Sequence, residues 1–175
     1  DLARLTLVAS LNDGAAAIAE ATAIRQNKNQ VEALAGAAAA LGLSQTYAVN
    51  GSGLDVSTSV SGAYGSATDL ALLAGALVEK NPLIAAATTL STAEATTEGG
   101  TTFKVKNTNP MTGTLPRLLL SKTGFTDLAG GNLALVFDAG IRHPIAVVVL
   151  GSTEKSRFTD AFSLVAASFA YFAGV

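Results

Sequence analysis

The apolar residues of this chain change from helical to alternating spacing near Ser91, and that change limits the architectures open to it. Before it, Leu, Val and Ala recur every third or fourth residue; after it, apolar and polar residues alternate in short runs closed by Gly and Pro. A last run then returns to helical spacing, with Phe158, Phe162, Val165, Phe169 and Phe172 on one face. Helices first, strands second and a closing helix predict an α+β fold in which helices flank an antiparallel sheet. The 175 residues fit one core, and no internal repeat or linker divides them, so 1–175 reads as a single domain.

The elements can be placed more closely. Leu2, Leu5, Leu7 and Val8 suggest a short helix, and Ala15, Ile18, Ala19 and Ala23 continue helical spacing after a polar break over Ser10 to Gly14. In a third helix Asn29 and Glu32 occupy capping-box positions, Val31, Leu34, Ala35, Ala38 and Leu41 form a stripe, and Gly42 ends it. Leu43 to Asp55 reads as irregular and partly extended, and Val56 to Gly65 as a Ser/Gly/Thr-rich loop. A fourth helix starts at the Ser66/Asp69 box, carries Leu70, Leu73, Ala74, Leu77 and Val78, and ends before Pro82. Strands are predicted over Thr102 to Lys106, with Lys104 and Lys106 on a solvated face opposite Phe103 and Val105, and, after a turn at Asn109-Pro110, over Arg117 to Lys122, Asn132 to Asp138 and Ile145 to Leu150, as an antiparallel meander.

Composition narrows the chemistry. Half the residues are apolar (49%) and only 14% charged, as in a globular domain. The net charge of −2 comes without a Lys/Arg cluster, which argues against nucleic acid as a partner. The longest strongly apolar runs, such as Ile145 to Leu150, fall far short of the roughly 20 residues a membrane helix needs. With no cysteine and one histidine, His143, the chain has no thiolate chemistry, and no carboxylates are grouped as metal ligands.

Two short motifs carry chemistry. Lys122 follows the apolar run Leu118-Leu119-Leu120-Ser121, so its cation is presented at the rim of a packed sheet, where it can hold a carboxylate. Thr123 adds a hydroxyl toward the same anion, and Gly124 lets backbone approach a ligand closely. On spacing alone, a surface lysine before a turn is the simpler account. Ser10 and Asn12, two apart in a break between helices, can face one cleft, the hydroxyl relaying a proton and the amide accepting and donating. Helix capping accounts for Asn12-Asp13 equally well.

The ordered pair in its context resembles the serine D-alanyl-D-alanine carboxypeptidases, the low-molecular-mass penicillin-binding proteins, whose motif set is S-x-x-K, S-x-N and K-T-G. "LVASLNDGAAAIAE" resembles the S-x-N segment, "LGLSQTYAVNGSGLD" the stretch after it and "SATDLALLAGALV" the next helix. "NTNPMTG", "LLLSKTGFTDLAGGNLALVF" and "IAVVVLGSTEKSRFTD" resemble the remaining sheet and closing helix, so the likeness runs through essentially the whole chain.

The resemblance implies the transpeptidase-type fold shared with serine β-lactamases, here in part, and a serine acyl-enzyme mechanism on the D-Ala-D-Ala end of peptidoglycan stem peptides. Ser10 would pass a proton to the leaving amine, and Asn12 would orient the lysine of S-x-x-K and the substrate amide. Lys122, Thr123 and Gly124 would hold the terminal carboxylate, and the N–H of Phe125 would be one oxyanion donor. It implies no cofactor, β-lactams as covalent inhibitors of the complete protein, a place outside the cytoplasmic membrane, and room for a membrane anchor outside these residues.

The chain departs from the family pattern at two places. Leu11 is bulkier than the small residue usual inside S-x-N, which narrows that side of the cleft. The S-x-x-K motif belongs several dozen residues before Ser10, where this chain has nine, so the nucleophile and its lysine are expected in a segment preceding Asp1 and the 175 residues alone are expected to be inactive. The string Ser152 to Lys155 has the right letters in the wrong order along the chain and reads as a capping turn. A Ser-His-Asp reading through His143 with Asp138 or Asp127 is set against a turn histidine in Gly140-Ile141-Arg142-His143-Pro144, which the turn residues favour. An inactive binding homologue and a serine β-lactamase remain as alternatives; "AVNGSGLD" favours the carboxypeptidase branch.

Overall fold

The computed structural model describes residues 1–140 and 142–174. Helix α1 (Leu2–Ala9) buries Leu5, Thr6 and Val8. Helix α2 (Asn12–Arg25) follows after two residues only, so the break is shorter than the expected Ser10 to Gly14. Asp13 sits in the first turn, where a negative charge complements the helix dipole. Gly14 lies so close under α1 that a Cβ there would run into Thr6 Oγ1. A glycine that reads as a breaker is therefore a packing residue inside the helix.

Helix α3 (Gln30–Ala40) opens with the predicted capping box, Asn29 accepting from Glu32 N–H and Glu32 from Asn29 N–H. Its predicted stripe is wrong: only Ala33 is fully buried and Val31 is exposed. An alanine-rich helix carries too little amphipathic contrast to declare its buried face. Beyond α3, β1 (Tyr47–Ala48) and β2 (Ala63–Tyr64) form a two-residue antiparallel ladder that closes the Ser/Gly/Thr-rich loop at its base. Helix α4 (Ala67–Lys80) is capped by Ser66, whose Oγ accepts from Asp69 N–H at 3.1 Å. The Asp69 carboxylate turns away from the cap and takes Gln45 N–H at 2.7 Å and Thr46 Oγ1 at 2.8 Å, pinning β1 to α4.

A short α5 (Pro82–Ala87), absent from the sequence expectation, follows at once, because the proline that stops α4 serves as the first residue of a new helix. Strands β3 (Thr92–Thr96) and β4 (Thr102–Lys106) form a separate hairpin, Ala93 facing Val105. Phe103, expected opposite the solvated lysine face, is 53% exposed, while Ala93, Ala95 and Val105 are the residues of the hairpin that pack into the α1 core.

The main sheet is the predicted meander of β5 (Leu118–Thr126), β6 (Gly130–Asp138) and β7 (Pro144–Ser152), with α6 (Ser156–Ala173) closing the chain. β6 is central and apolar on both faces. Leu133, Leu135 and Phe137 point toward Ala161 and Val165 of α6, while Val136, with Leu120, packs against Ala74 of α4 and Ala85 of α5. Helices thus cover both sides of the sheet. The aromatic stripe of α6 is buried only in part: Phe169 touches Phe137 at 5.2 Å between ring centroids, while Phe172 is exposed. Among the described residues no helix is long and apolar enough to cross a membrane.

Candidate active site

Ser10 ends α1 in the left-handed conformation (φ 55°, ψ 48°), which a non-glycine residue adopts at a cost of about 1 kcal/mol or more. The turn is closed by Leu11 N–H bonding back to Thr6 C=O at 3.1 Å, and it throws the Ser10 hydroxyl out toward the sheet. Asn12, one residue after the turn, begins α2 and lines the same cleft.

Lys122, Thr123 and Gly124 lie inside β5, paired with Ala134, Leu133 and Asn132 of β6. The expectation that Lys122 ends a strand before a turn is corrected here: β5 runs four residues further, to Thr126, because β6 supplies partners that local sequence does not reveal. Regular strand geometry gives Lys122 a fixed direction. Its Nζ donates to Ser10 Oγ at 2.7 Å and to Thr123 C=O at 2.5 Å. Burial pulls its pKa from 10.5 down to about 8, and the positive charge of Arg157 adds to the effect.

The cleft joining these groups has a volume of about 830 Å³. Ser10, Asn12 and Lys122 line it, as do Thr123, Gly124 and Phe125, so all six residues singled out in the sequence share one cavity. Phe125 is half-exposed at its rim, and Thr123 is almost fully buried, its hydroxyl against that of Thr108. A Cβ on Gly124 would meet only Asn132, at an ordinary 3.6 Å, so the protein's own packing does not demand glycine there. The opposite wall is the loop through Gly51, Ser52 and Gly53. Gly51 lies against α2, where a Cβ would come within 2.5 Å of Ala19 Cβ, and its N–H donates to Gln30 Oε1 at 2.7 Å.

Two residues at this site were not found in the sequence. Arg157, in the first turn of α6, is buried and donates to Gly124 C=O at 2.7 Å, with its guanidinium 4.9 Å from the Phe158 ring centroid. A single basic residue in the closing helix, next to Phe158 in its first turn, was the available signal. Asp55 ties the opposite loop to the end of β5 through Thr126.

The other sequence candidates lie elsewhere. His143 is exposed; its N–H donates to Asp138 Oδ1 at 3.0 Å and its ring Nδ1 meets Gly140 C=O, which makes it part of a turn rather than a catalytic pair. The Asp138 carboxyl is held below its ordinary pKa chiefly by the Gly140 N–H, with those of His143 and Arg142 adding. Ile141 of that turn lies outside the described residues. Ser152 donates to Asp160 at 2.6 Å and Thr153 Oγ1 accepts from Ser156 N–H, so Ser152 to Lys155 forms the entry to α6, as expected. Among the described residues no three His, Cys, Asp or Glu side chains group to hold a metal ion.

The sequence profile of the D-alanyl-D-alanine carboxypeptidase family matches residues 1–154. The chain belongs to that family. Solved structures agree with the assignment. Penicillin-binding protein D2 of Listeria monocytogenes, in its cefotaxime-bound form, is 28% identical with a TM-score of 0.77, covering 97% of this chain and 65% of its own. A D-alanyl-D-alanine carboxypeptidase of Mycobacterium tuberculosis is 26% identical with a TM-score of 0.70, covering 85% of this chain and 54% of its own. The Streptomyces K15 DD-transpeptidase, in a point-mutant form, shares the fold at 20% identity and a TM-score of 0.77, over 97% of this chain and 67% of its own. The chain spans about half to two thirds of the length of these structures. Among curated proteins, none matches it in sequence. The transpeptidase-type α+β fold expected from the motifs is the fold observed.

Proposed function

We propose that this chain is the larger, C-terminal part of the catalytic domain of a serine D-alanyl-D-alanine carboxypeptidase that acts on peptidoglycan stem peptides and is acylated by β-lactams. The observation that carries the reading is the 2.7 Å contact between Lys122 Nζ and Ser10 Oγ, which joins the K-T-G and S-x-N motifs in one cleft across 112 residues. The cefotaxime- and ampicillin-bound forms of the Listeria protein, at 28% and 29% identity, support β-lactams as ligands of this cleft too.

In this reading the terminal carboxylate of the stem peptide lies against the Lys122 ammonium and the Thr123 hydroxyl, and Gly124 leaves room for the peptide along β5. A serine from an S-x-x-K segment outside these residues attacks the carbonyl carbon of the penultimate D-alanine, its proton passing to the lysine of that segment. The oxyanion is held by Phe125 N–H and the nucleophile's own N–H. The C–N bond then breaks, the departing amine of the terminal D-alanine taking a proton relayed through Ser10 Oγ from Lys122 or the motif lysine. Water hydrolyses the resulting ester and restores the serine. Asn12 orients the motif lysine and the substrate amide. No metal or cofactor enters this scheme. A peptidoglycan substrate implies a site of action outside the cytoplasmic membrane.

Fluorescent penicillin tests the reading, applied to the 175 residues alone and to the chain expressed with its upstream coding sequence. The acylated peptide is then identified by mass. Label on an upstream serine in the longer form, with none on the 175 residues, is expected. Label on Ser10 would make Ser10 the nucleophile and overturn the assigned roles; no label on either would leave a binding protein without turnover.

A further inference from the structure

Thr108 stands between β4 and β5 and touches both halves of the site. Its N–H donates to Val8 C=O at 3.1 Å, one of the last carbonyls of α1 and two residues before Ser10. Its hydroxyl lies 2.5 Å from that of Thr123, the residue that faces the carboxylate in the proposed function. The flanking asparagines hold it in place. Asn107 Nδ2 donates to the carbonyls of Thr88 and Leu90 at 2.7 and 2.8 Å, and its Oδ1 takes Asn109 N–H at 2.8 Å. Asn109, buried, donates to Ser121 Oγ at 2.7 Å and accepts from Met111 N–H at 2.8 Å. Thr108 is therefore set by its neighbours' hydrogen bonds to elements on either side, although its own side chain is exposed.

Only one of the two hydroxyl protons can lie between oxygens at this separation, and which residue supplies it matters. If Thr123 donates to Thr108, only lone pairs of Thr123 face the cleft, and a carboxylate meets a second acceptor. If Thr108 donates, Thr123 has its proton free for the anion, and the two bonds polarise each other in a chain. Among the described residues the Thr108 hydroxyl has no other partner to compete for that proton. We propose that Thr108 is a positioning residue for carboxylate recognition, its hydroxyl donating to Thr123 Oγ1 so that Thr123 donates to the terminal carboxylate of the ligand. The proposal rests on the carboxylate role assigned to Thr123 above. The backbone bond to Val8 also keeps the S-x-N turn at a fixed distance from Thr123.

The test is titration of the 175-residue chain with N-acetyl-D-alanyl-D-alanine, followed by the amide shifts of Lys122 to Phe125. Thr108→Val keeps the N–H to Val8 and nearly the same volume but removes the hydroxyl; it should bind about fivefold more weakly, the loss of one hydrogen bond's net contribution. Thr108→Ser should restore binding, and the Thr108→Val/Thr123→Val double variant should bind no worse than Thr123→Val alone, because the first hydroxyl acts only through the second. Melting temperatures of all variants should match the parent chain. Unchanged binding by Thr108→Val, failure of Thr108→Ser to rescue, or additive losses in the double variant would overturn the proposal. Absence of binding by the parent chain, both alone and expressed with its upstream coding sequence, would instead reject the carboxylate reading on which it stands, and the proposal with it.

Discussion

The carboxylate of Asp55 accepts from Thr126 Oγ1 at 3.0 Å and from Leu128 N–H at 3.1 Å, which ties the loop lining one wall of the cleft to the turn after β5 on the other. No regular pairing among the described residues joins this loop to the main sheet; its own ladders are Tyr47–Ala48 with Ala63–Tyr64 and the single bridge Ser57–Val60. Asp55→Ala should therefore release residues 51–65 selectively. Limited proteolysis should cut that segment severalfold faster, while unfolding in urea should register a loss of about 2 kcal/mol, the range for hydrogen bonds to a charged group. Asp55→Asn, which keeps the acceptor for Thr126, should fall between. Equal cleavage rates in all three proteins would show that the contact does not restrain the loop.

The Lys122 ammonium titrates near 8 instead of 10.5 because it is buried, with Arg157 adding like-charge repulsion. The folded state therefore gives up its proton at lower pH than the unfolded chain. The buried cation lowers stability fully below about pH 8, and the penalty, up to about 3 kcal/mol, is relieved as pH rises from there toward 10.5. Affinity for a carboxylate runs the other way, present below about pH 8 and lost above it. Lys122→Met should be more stable than the parent at about pH 7, less so at about pH 10, and should not bind N-acetyl-D-alanyl-D-alanine at either. Denaturant unfolding and titration across this range check both halves; a variant less stable at the lower pH would mean that the bonds to Ser10 and Thr123 outweigh the burial of the charge.

The capping boxes were legible because each is written within four residues: Asn29 with Glu32, and Ser66 with Asp69. The second was legible only in part, since the Asp69 carboxylate serves Gln45 and Thr46, more than twenty residues away. The S-x-N and K-T-G motifs marked Ser10, Asn12 and Lys122 to Phe125, yet their meeting depends on a contact spanning 112 residues that no local pattern encodes. The length of β5 was missed for the same reason, its last residues being strand because Gly130 to Asn132 pair with them. None of Thr108, Asp55 and Arg157 was singled out in the sequence, where Asp55 only ended a stretch read as irregular and partly extended. Only the packing shows what each one holds.

Gly124 separates the needs of the fold from those of the ligand. A Cβ there meets Asn132 at 3.6 Å, an ordinary contact, and its φ is not in the left-handed region, so Gly124→Ala should change stability by less than about 1 kcal/mol. The added methyl enters the cleft beside Lys122 and Thr123, where a peptide lying along β5 needs the room. Binding of N-acetyl-D-alanyl-D-alanine should fall at least tenfold with the melting temperature held. A large loss of stability would instead mean that the strand itself requires glycine, and unchanged binding would place the ligand backbone elsewhere.

Arg157 acts on the same strand from behind. Its Nη1 donates to Gly124 C=O at 2.7 Å, while its buried Nε has no partner among the described residues, so the contacts that keep the cation in place there are one carbonyl and the Phe158 ring, 4.9 Å from its centroid. A buried charge held so thinly lowers stability unless something compensates, and what it offers the site is positive potential beside Lys122. Arg157→Met keeps most of the side-chain volume and removes the charge. The pH at which carboxylate binding is lost should then move up from about 8, because one of the two causes depressing the Lys122 pKa is gone, while affinity at about pH 6 should fall as the site loses a cation. Arg157→Lys should keep the potential but not the guanidinium's contact with the Phe158 ring, so its binding limb should stay near that of the parent chain with a lower melting temperature. Titrations at several pH values decide the matter: an unmoved limb in Arg157→Met would show that burial alone sets the Lys122 pKa and that Arg157 serves only to hold Gly124.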